Sequence, residues 1–191
     1  MSDLAAPANA DSKLTELYES LAEGDSERIE NLWMEILEDT EQLASTIEDL
    51  SGFAAEGLRQ GHDSIVKPLL ELTWGALSTE SEDSTDSAAA LSGVPAAQRV
   101  ALGQVMVRAF PARKEYFAVY LDAFLEENDP MSAERAFFNA CDIENASDKV
   151  AALDRFTGLL EYRPGAVVYH ESGWGIGEIL EVDALLGQVR V

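Results

Sequence analysis

The sequence predicts a mainly helical protein, an array of short helical hairpins followed by a small and incomplete β-module. Two observations predict the helices: apolar residues recur at helical spacing along most of the chain up to Leu160, and glycine, proline and capping residues separate these stretches. A third observation predicts the β-module, because apolar residues begin to alternate along the chain from about Tyr162 onward.

Residues 13–77 are predicted to form a first helical subdomain, after a disordered N-terminus over residues 1–12 that is rich in small and polar residues. Gly24 ends the first helix, and Asp25 or Ser26 caps the second. Each helix presents one apolar stripe and turns its acidic residues to solvent. The stripes of these two helices are Leu14, Leu17, Tyr18 and Leu21, then Ile29, Leu32, Trp33, Ile36 and Leu37.

The third and fourth helices contain poor helix formers. Gly52 and Gly57 weaken the predicted end of the third helix. The fourth helix is predicted to begin at Asp63 or Ser64. Pro68 then has to lie in or near its first turn, or the helix kinks there.

A linker that is acidic and rich in serine is predicted over residues 78–93, because no apolar periodicity is present there. A second helical subdomain follows over residues 94–161. Its helix from Ala112 to Glu127 is unusually aromatic, which predicts a central position with neighbours on two sides. The aromatic residues of this helix are Tyr116, Phe117, Tyr120 and Phe124.

Two further helix starts are predicted from capping residues. Asp129 and Pro130 have the types expected at the N-cap and first position of a short helix, and Ser147 or Asp148 can cap the last helix. The resulting set of short helices with brief connections is typical of tetratricopeptide or HEAT-like stacking, or of an irregular bundle. No repeat of ~34 or ~40 residues is found in register, so both architectures stay open.

The β-module is predicted over residues 162–191. A run from Ala166 to His170 is followed by a glycine-rich turn over residues 173–177, a strand to Asp183, and a further strand that begins at Gly187. Three short strands leave an edge and an apolar face open, whereas a closed small barrel needs about five strands. We therefore expect a truncated fragment of a longer protein.

The charge is strongly negative and unevenly distributed. The formal net charge is -23, and the residues up to Gln98 include 21 acidic and four basic side chains. Such a surface repels nucleic acid and anionic membranes, whose binding requires lysine and arginine. We predict no direct nucleic-acid binding by the helical part and no membrane binding. A basic protein partner is compatible with this charge, although solvation alone also explains many acidic helix faces.

No arrangement of residues predicts catalysis. His62 and His170 lie far apart, and neither belongs to a metal-binding motif. Cys141 has no neighbouring base and is expected to be a small buried side chain at a helix end. The glycines of residues 173–177 precede a strand, whereas a phosphate-binding loop precedes a helix. We predict no catalytic, cofactor-binding or metal-binding residue, and a protein that is not an enzyme.

The same features predict a cytoplasmic protein. With one cysteine, no intrachain disulfide can form. Residues 1–12 lack the basic and apolar regions of a secretory signal, and no apolar run reaches the ~20 residues of a membrane span.

The segment from Arg163 to Val191 resembles the small SH3-like or Tudor-like β-barrels of bacterial transcription factors. It contains a glycine, successive valines, a glycine-rich turn, a strand, and then Asp, Gly and Val-x-Val. The polymerase-interacting domains of CarD and of the transcription-repair coupling factor look like this, as does the KOW module. The stretch GWGIGEILEVD after a helical array is similar to the N-terminal region of long GreA/GreB-type elongation factors.

This resemblance implies a non-catalytic region that docks on RNA polymerase or an associated protein. The contact residues that it implies are Tyr169, Trp174 and Arg190, with core packing an equal alternative for Trp174. One alternative is a generic helical-repeat adaptor that binds a peptide or protein through Tyr116 and Tyr120. A second alternative is an accessory helical domain of a larger enzyme.

Overall fold

The computed structural model describes residues 10–38, 40–78, 91, 93–162, 164–170, 173, 175–183 and 188–191. These residues form eight helices and four short strands, so the mainly helical class is confirmed. The helices are α1 Ala10–Glu23, α2 Ser26–Glu38, α3 Thr40–Arg59, α4 Asp63–Leu77, α5 Ala96–Ala109, α6 Lys114–Glu127, α7 Ala133–Ala140 and α8 Lys149–Leu160. The strands are β1 Val167–His170, β2 Gly175–Glu178, β3 Glu181–Asp183 and β4 Gln188–Arg190.

The chain divides into two compact units within α6. The N-terminal unit extends to Ala123, and the C-terminal unit begins at Phe124. In the N-terminal unit α1 pairs with α2, and α5 packs on α3. The helices before and after residues 78–93 therefore belong to one unit. Residues 79–90 and 92 of the predicted linker, and residues 1–9 of the predicted disordered N-terminus, lie outside the described residues.

The core of the N-terminal unit is built around Trp33. Its indole ring lies 5.6 Å from the ring of Phe53, and both side chains are fully buried. The indole N–H donates to the hydroxyl of Thr73 at 3.0 Å, and that hydroxyl donates to the carbonyl of Leu69 at 2.9 Å. A buried indole needs such a partner, because an unmade hydrogen bond costs about 1–3 kcal/mol. This bond links α2 to α4.

Two glycines allow helices to approach closely in this unit. Helix α3 continues through Gly57, where a Cβ atom would lie only 2.5 Å from Cγ2 of Val66. A Cβ atom on Gly103 would lie 2.8 Å from Cβ and 2.9 Å from Cα of Tyr120. Both glycines are therefore retained inside helices for packing, despite their poor helix propensity.

The fourth helix differs from its prediction in one respect. Asp63 is its first residue, as expected, but Pro68 lies beyond the first turn, and the helix continues through it to Leu77. Burial of Val66, Leu69 and Leu70 accounts for this, because tertiary packing overrides the local cost of a proline.

The core of the C-terminal unit is a cluster of three phenylalanines. The rings of Phe124 and Phe138 stack at 4.5 Å, and Phe156 meets each of them edge-on, at 5.4 and 5.7 Å. Such geometry suits the charge distribution of aromatic rings and contributes about 0.5–1.5 kcal/mol per pair beyond area burial. The cluster joins the end of α6 to α7 and α8.

One helix cap is confirmed and another prediction was wrong. The carboxylate of Asp148 accepts from the backbone N–H of Ala151 at 3.0 Å, so it caps α8. Helix α7 begins only at Ala133, where Ser132 is the N-cap. Asp129, which was expected to cap this helix, instead accepts from the N–H of Met131 in a local turn.

The close approach at Gly103 predicts that Gly103→Ala destabilises the N-terminal unit. The added methyl group would collide with backbone of Tyr120, so we expect a loss of about 1–3 kcal/mol in the free energy of unfolding. Urea unfolding followed by circular dichroism measures this. Gly75→Ala is the matched control, because no atom lies within 4 Å of its Cβ position in α4. It should stabilise by up to ~1 kcal/mol, and equal effects of the two substitutions would contradict the packing argument.

Candidate protein-binding surface

The four strands form two separate two-stranded antiparallel sheets, which are joined by a bent central segment, residues 175–183. Strand β1 pairs antiparallel with β2, and β3 pairs antiparallel with β4. At the bend, the N–H of Ile179 donates to Ala166 at 2.9 Å and the N–H of Leu180 donates to Arg190 at 2.8 Å. The first half of the central segment therefore belongs to one hairpin, and the second half to the other. The predicted glycine-rich turn was wrong for residues 175–177, which lie in β2.

The β1–β2 hairpin has two unlike faces. Val167 lies opposite Glu178 and Tyr169 lies opposite Ile176, and residues opposite each other in an antiparallel pair share a face. On this face Val167 is 71% exposed, Tyr169 69% and Ile176 76%. We call these three side chains the apolar row.

The opposite face of the same hairpin is less exposed. Val168 and Gly177 on that face are half-buried. Ala166, next to the strand, lines an open depression together with Thr157 and Leu160 of α8. The two faces of the hairpin therefore differ in their exposure to solvent. No described residue of the C-terminal unit covers the apolar row.

Ile179 fixes this arrangement. Its side chain is fully buried at the bend of the central segment, while the neighbouring Leu180 is 57% exposed. Since successive side chains of a strand point to opposite faces, the burial of Ile179 determines which residues turn to solvent.

The predicted contact residues of the β-module differ in their surroundings. Tyr169 belongs to the apolar row. The guanidinium group of Arg190 forms a cross-strand ion pair with Glu181, with Nε and Nη2 at 3.0 and 2.8 Å from Oε2. Such an exposed pair contributes little stability. Trp174 lies outside the described residues.

Tyr116 and Tyr120 belong to the core of the N-terminal unit. They are only 4% and 1% exposed, and Tyr116 packs edge-on against Trp74 with ring centres 4.7 Å apart. Desolvation raises the pKa of the Tyr120 phenol, against a smaller opposing effect of Arg108. Both aromatic side chains are thus buried in the core. Neither ring offers a surface for the peptide contact that the adaptor hypothesis assigns to it.

The titratable residues of the described part of the chain include one thiol. Cys141 is buried at the end of α7, as expected, and burial raises the pKa of its thiol. No group of three or more histidine, cysteine or acidic side chains among the described residues could hold a metal ion. In the same residues, no helix is long and apolar enough to cross a membrane.

Comparisons with protein-family models, curated proteins and solved structures gave no match to this chain. The candidate surface therefore rests on the geometry of the strands and on the exposure of their side chains.

Sequence reasoning identified Tyr169 and missed the rest of the apolar row. Val167 and Val168 are both apolar, so alternation could not show which of them faces solvent. Ile176 lies between two glycines, which is a turn signal in a sequence. The one available signal was that β-branched residues favour strands.

The contrast between Ile179 and Ile176 predicts that the same truncation has a large effect at one position and almost none at the other. Ile179→Ala should lower the stability of the C-terminal unit by about 2–5 kcal/mol, because it leaves a cavity in a buried site. Ile176→Ala should change it by no more than about 0.5 kcal/mol, because that side chain is exposed. Hydrogen exchange of peptides from residues 164–183 measures both effects, and a large loss of protection in Ile176→Ala would show that the apolar row is part of the core.

Proposed function

We propose that this chain is a non-catalytic protein-interaction region of a bacterial transcription elongation factor of the GreA/GreB type. It docks on RNA polymerase or on a protein associated with the polymerase, and it acts in the cytoplasm. In this proposal the helices form a scaffold, and the strands form the start of an SH3-like module.

The observation that carries the proposal is the exposed apolar row of Val167, Tyr169 and Ile176. Large apolar side chains that are grouped and exposed mark interaction sites, because their contact with water is unfavourable. Tyrosine in particular is enriched at protein interfaces, since it offers a large contact area and a polar hydroxyl. The row lies in the segment that resembles polymerase-interacting modules.

The charge of the chain supports a protein partner. A net charge of -23 disfavours contact with nucleic acid and with anionic lipid. A factor that acts at a transcription complex through this chain would therefore bind the protein component of that complex.

Retention of purified bacterial RNA polymerase on the immobilised 191-residue chain tests the proposal. We expect retention, and we expect the double substitution Tyr169→Ser with Ile176→Ser to reduce it by at least about tenfold, as at a binding hot spot. Tyr162→Ser is the matched control, because Tyr162 is also exposed in the C-terminal unit but lies outside the strands. No retention of polymerase by the unsubstituted chain would contradict the proposal.

Two further substitutions test the role assigned to Arg190. Arg190→Gln and Glu181→Gln each break the same ion pair. If the guanidinium group also contacts the polymerase, only Arg190→Gln should weaken retention. Equal effects would restrict Arg190 to a structural role.

A further inference from the structure

The apolar row ends at a carboxylate. Glu178 lies directly opposite Val167 in the β1–β2 register, so its side chain is on the same face as the row. The Glu178 side chain is exposed, and it forms no ion pair with another described residue. Glu181, by contrast, is paired with Arg190. The exposed face thus combines apolar surface with one carboxylate that forms no ion pair within the described part of the chain.

The described charged residues of the β-module carry a net negative charge. The charged side chains described between residues 164 and 191 are Glu178, Glu181, Asp183 and Arg190, and the one cation among them is already paired with Glu181. A partner that covers the row would therefore meet an excess of negative charge. Complementary charge favours a cationic partner, in both the rate and the specificity of association.

A second copy of this chain fits the face poorly. Two copies with a net charge of -23 each repel one another at long range. The face is also small, because each strand of the hairpin has four residues. A stable dimer needs about 800 Å² of buried surface on each subunit, which a hairpin of this size does not supply alone.

We propose that this face binds a segment of another protein in which apolar residues stand next to lysine or arginine. The apolar residues cover Val167, Tyr169 and Ile176, and a cationic side chain pairs with Glu178. This proposal rests on the proposed function in one respect, since it specifies the chemistry of the partner at the same docking surface.

Three synthetic heptapeptides serve as probes for the full chain. One alternates lysine and valine, the second alternates glutamate and valine, and the third alternates lysine and serine. Fluorescence anisotropy should show that the lysine–valine peptide binds at least about tenfold more tightly than either of the others, because only it matches both the charge and the apolar row. Added salt should weaken its binding.

Substitutions on the face separate local recognition from general charge attraction. Ile176→Ser should weaken binding of the lysine–valine peptide by about tenfold. Glu178→Lys should weaken it several-fold, with a larger effect at low salt. Glu30→Lys is the control, because it changes the net charge by the same amount at an exposed glutamate of α2 in the N-terminal unit. This variant should stay within about twofold of the unsubstituted chain.

Four results would overturn the inference. Equal binding of the lysine–valine and lysine–serine peptides would show attraction to charge alone, as would equal effects of Glu178→Lys and Glu30→Lys. A concentration-dependent dimer that Ile176→Ser abolishes would assign the face to a second copy. Unchanged peptide binding by Ile176→Ser would place the site elsewhere.

The polymerase experiment and the peptide experiment can fail independently of each other. If the peptide binds as expected and the polymerase is not retained, the binding face is supported and its partner is a different protein. If the polymerase is retained through Tyr169 and Ile176 while all three peptides bind equally, the function stands and the cationic character of the partner is wrong.

Discussion

The stability of this protein depends on burying the apolar residues of its helices while the chain carries an excess of carboxylates. Like charges at a net of -23 favour expansion of the chain, so the apolar contacts must outweigh this repulsion. The N-terminal unit achieves this with a core around Trp33 and Phe53, and the C-terminal unit with three phenylalanines. The buried indole N–H of the first core has its hydrogen-bond partner, as the bond from Trp33 to Thr73 shows.

The same principle explains the candidate binding surface. Burial of Ile179 at the bend of the central segment orients the adjoining strands, and Val168 on the other face of the hairpin is half-buried. The alternation of side chains along a strand then leaves Tyr169 and Ile176 in solvent. Exposure of the apolar row is thus a consequence of how the sheet is anchored. A partner that covers the row would gain burial without rearranging the core.

The sequence predicted much of the fold because its signals are local. Apolar spacing identified the helices, and Gly24 and Asp148 correctly marked a helix end and a helix start. Gly57 and Gly103 illustrate the limit of such signals. Glycine lowers helix propensity, yet both glycines lie inside helices. Glycine is needed there because a neighbouring helix approaches too closely for a Cβ atom. No local pattern contains that information.

The candidate site was less accessible from the sequence. Tyr116 and Tyr120 have the residue type of interface anchors, and their burial depends on the packing of other segments against α6. Ile176 was assigned to a turn because glycines flank it, whereas pairing with β1 makes it part of a strand. Residue type indicates what a side chain can do, and only its neighbours decide whether it is available to a partner.

The sequence by itself determined the helical class, the acidic surface and the change from helices to strands near residue 162, because composition and periodicity are properties of the chain alone. Tertiary structure decided which aromatic residues are core and which are surface, and which face of the hairpin is open. These outcomes depend on contacts between segments far apart in the chain, such as α5 with α6 at Gly103 and Tyr120. Burial is a property of the packed assembly of segments, so it cannot be assigned to any one of them in isolation.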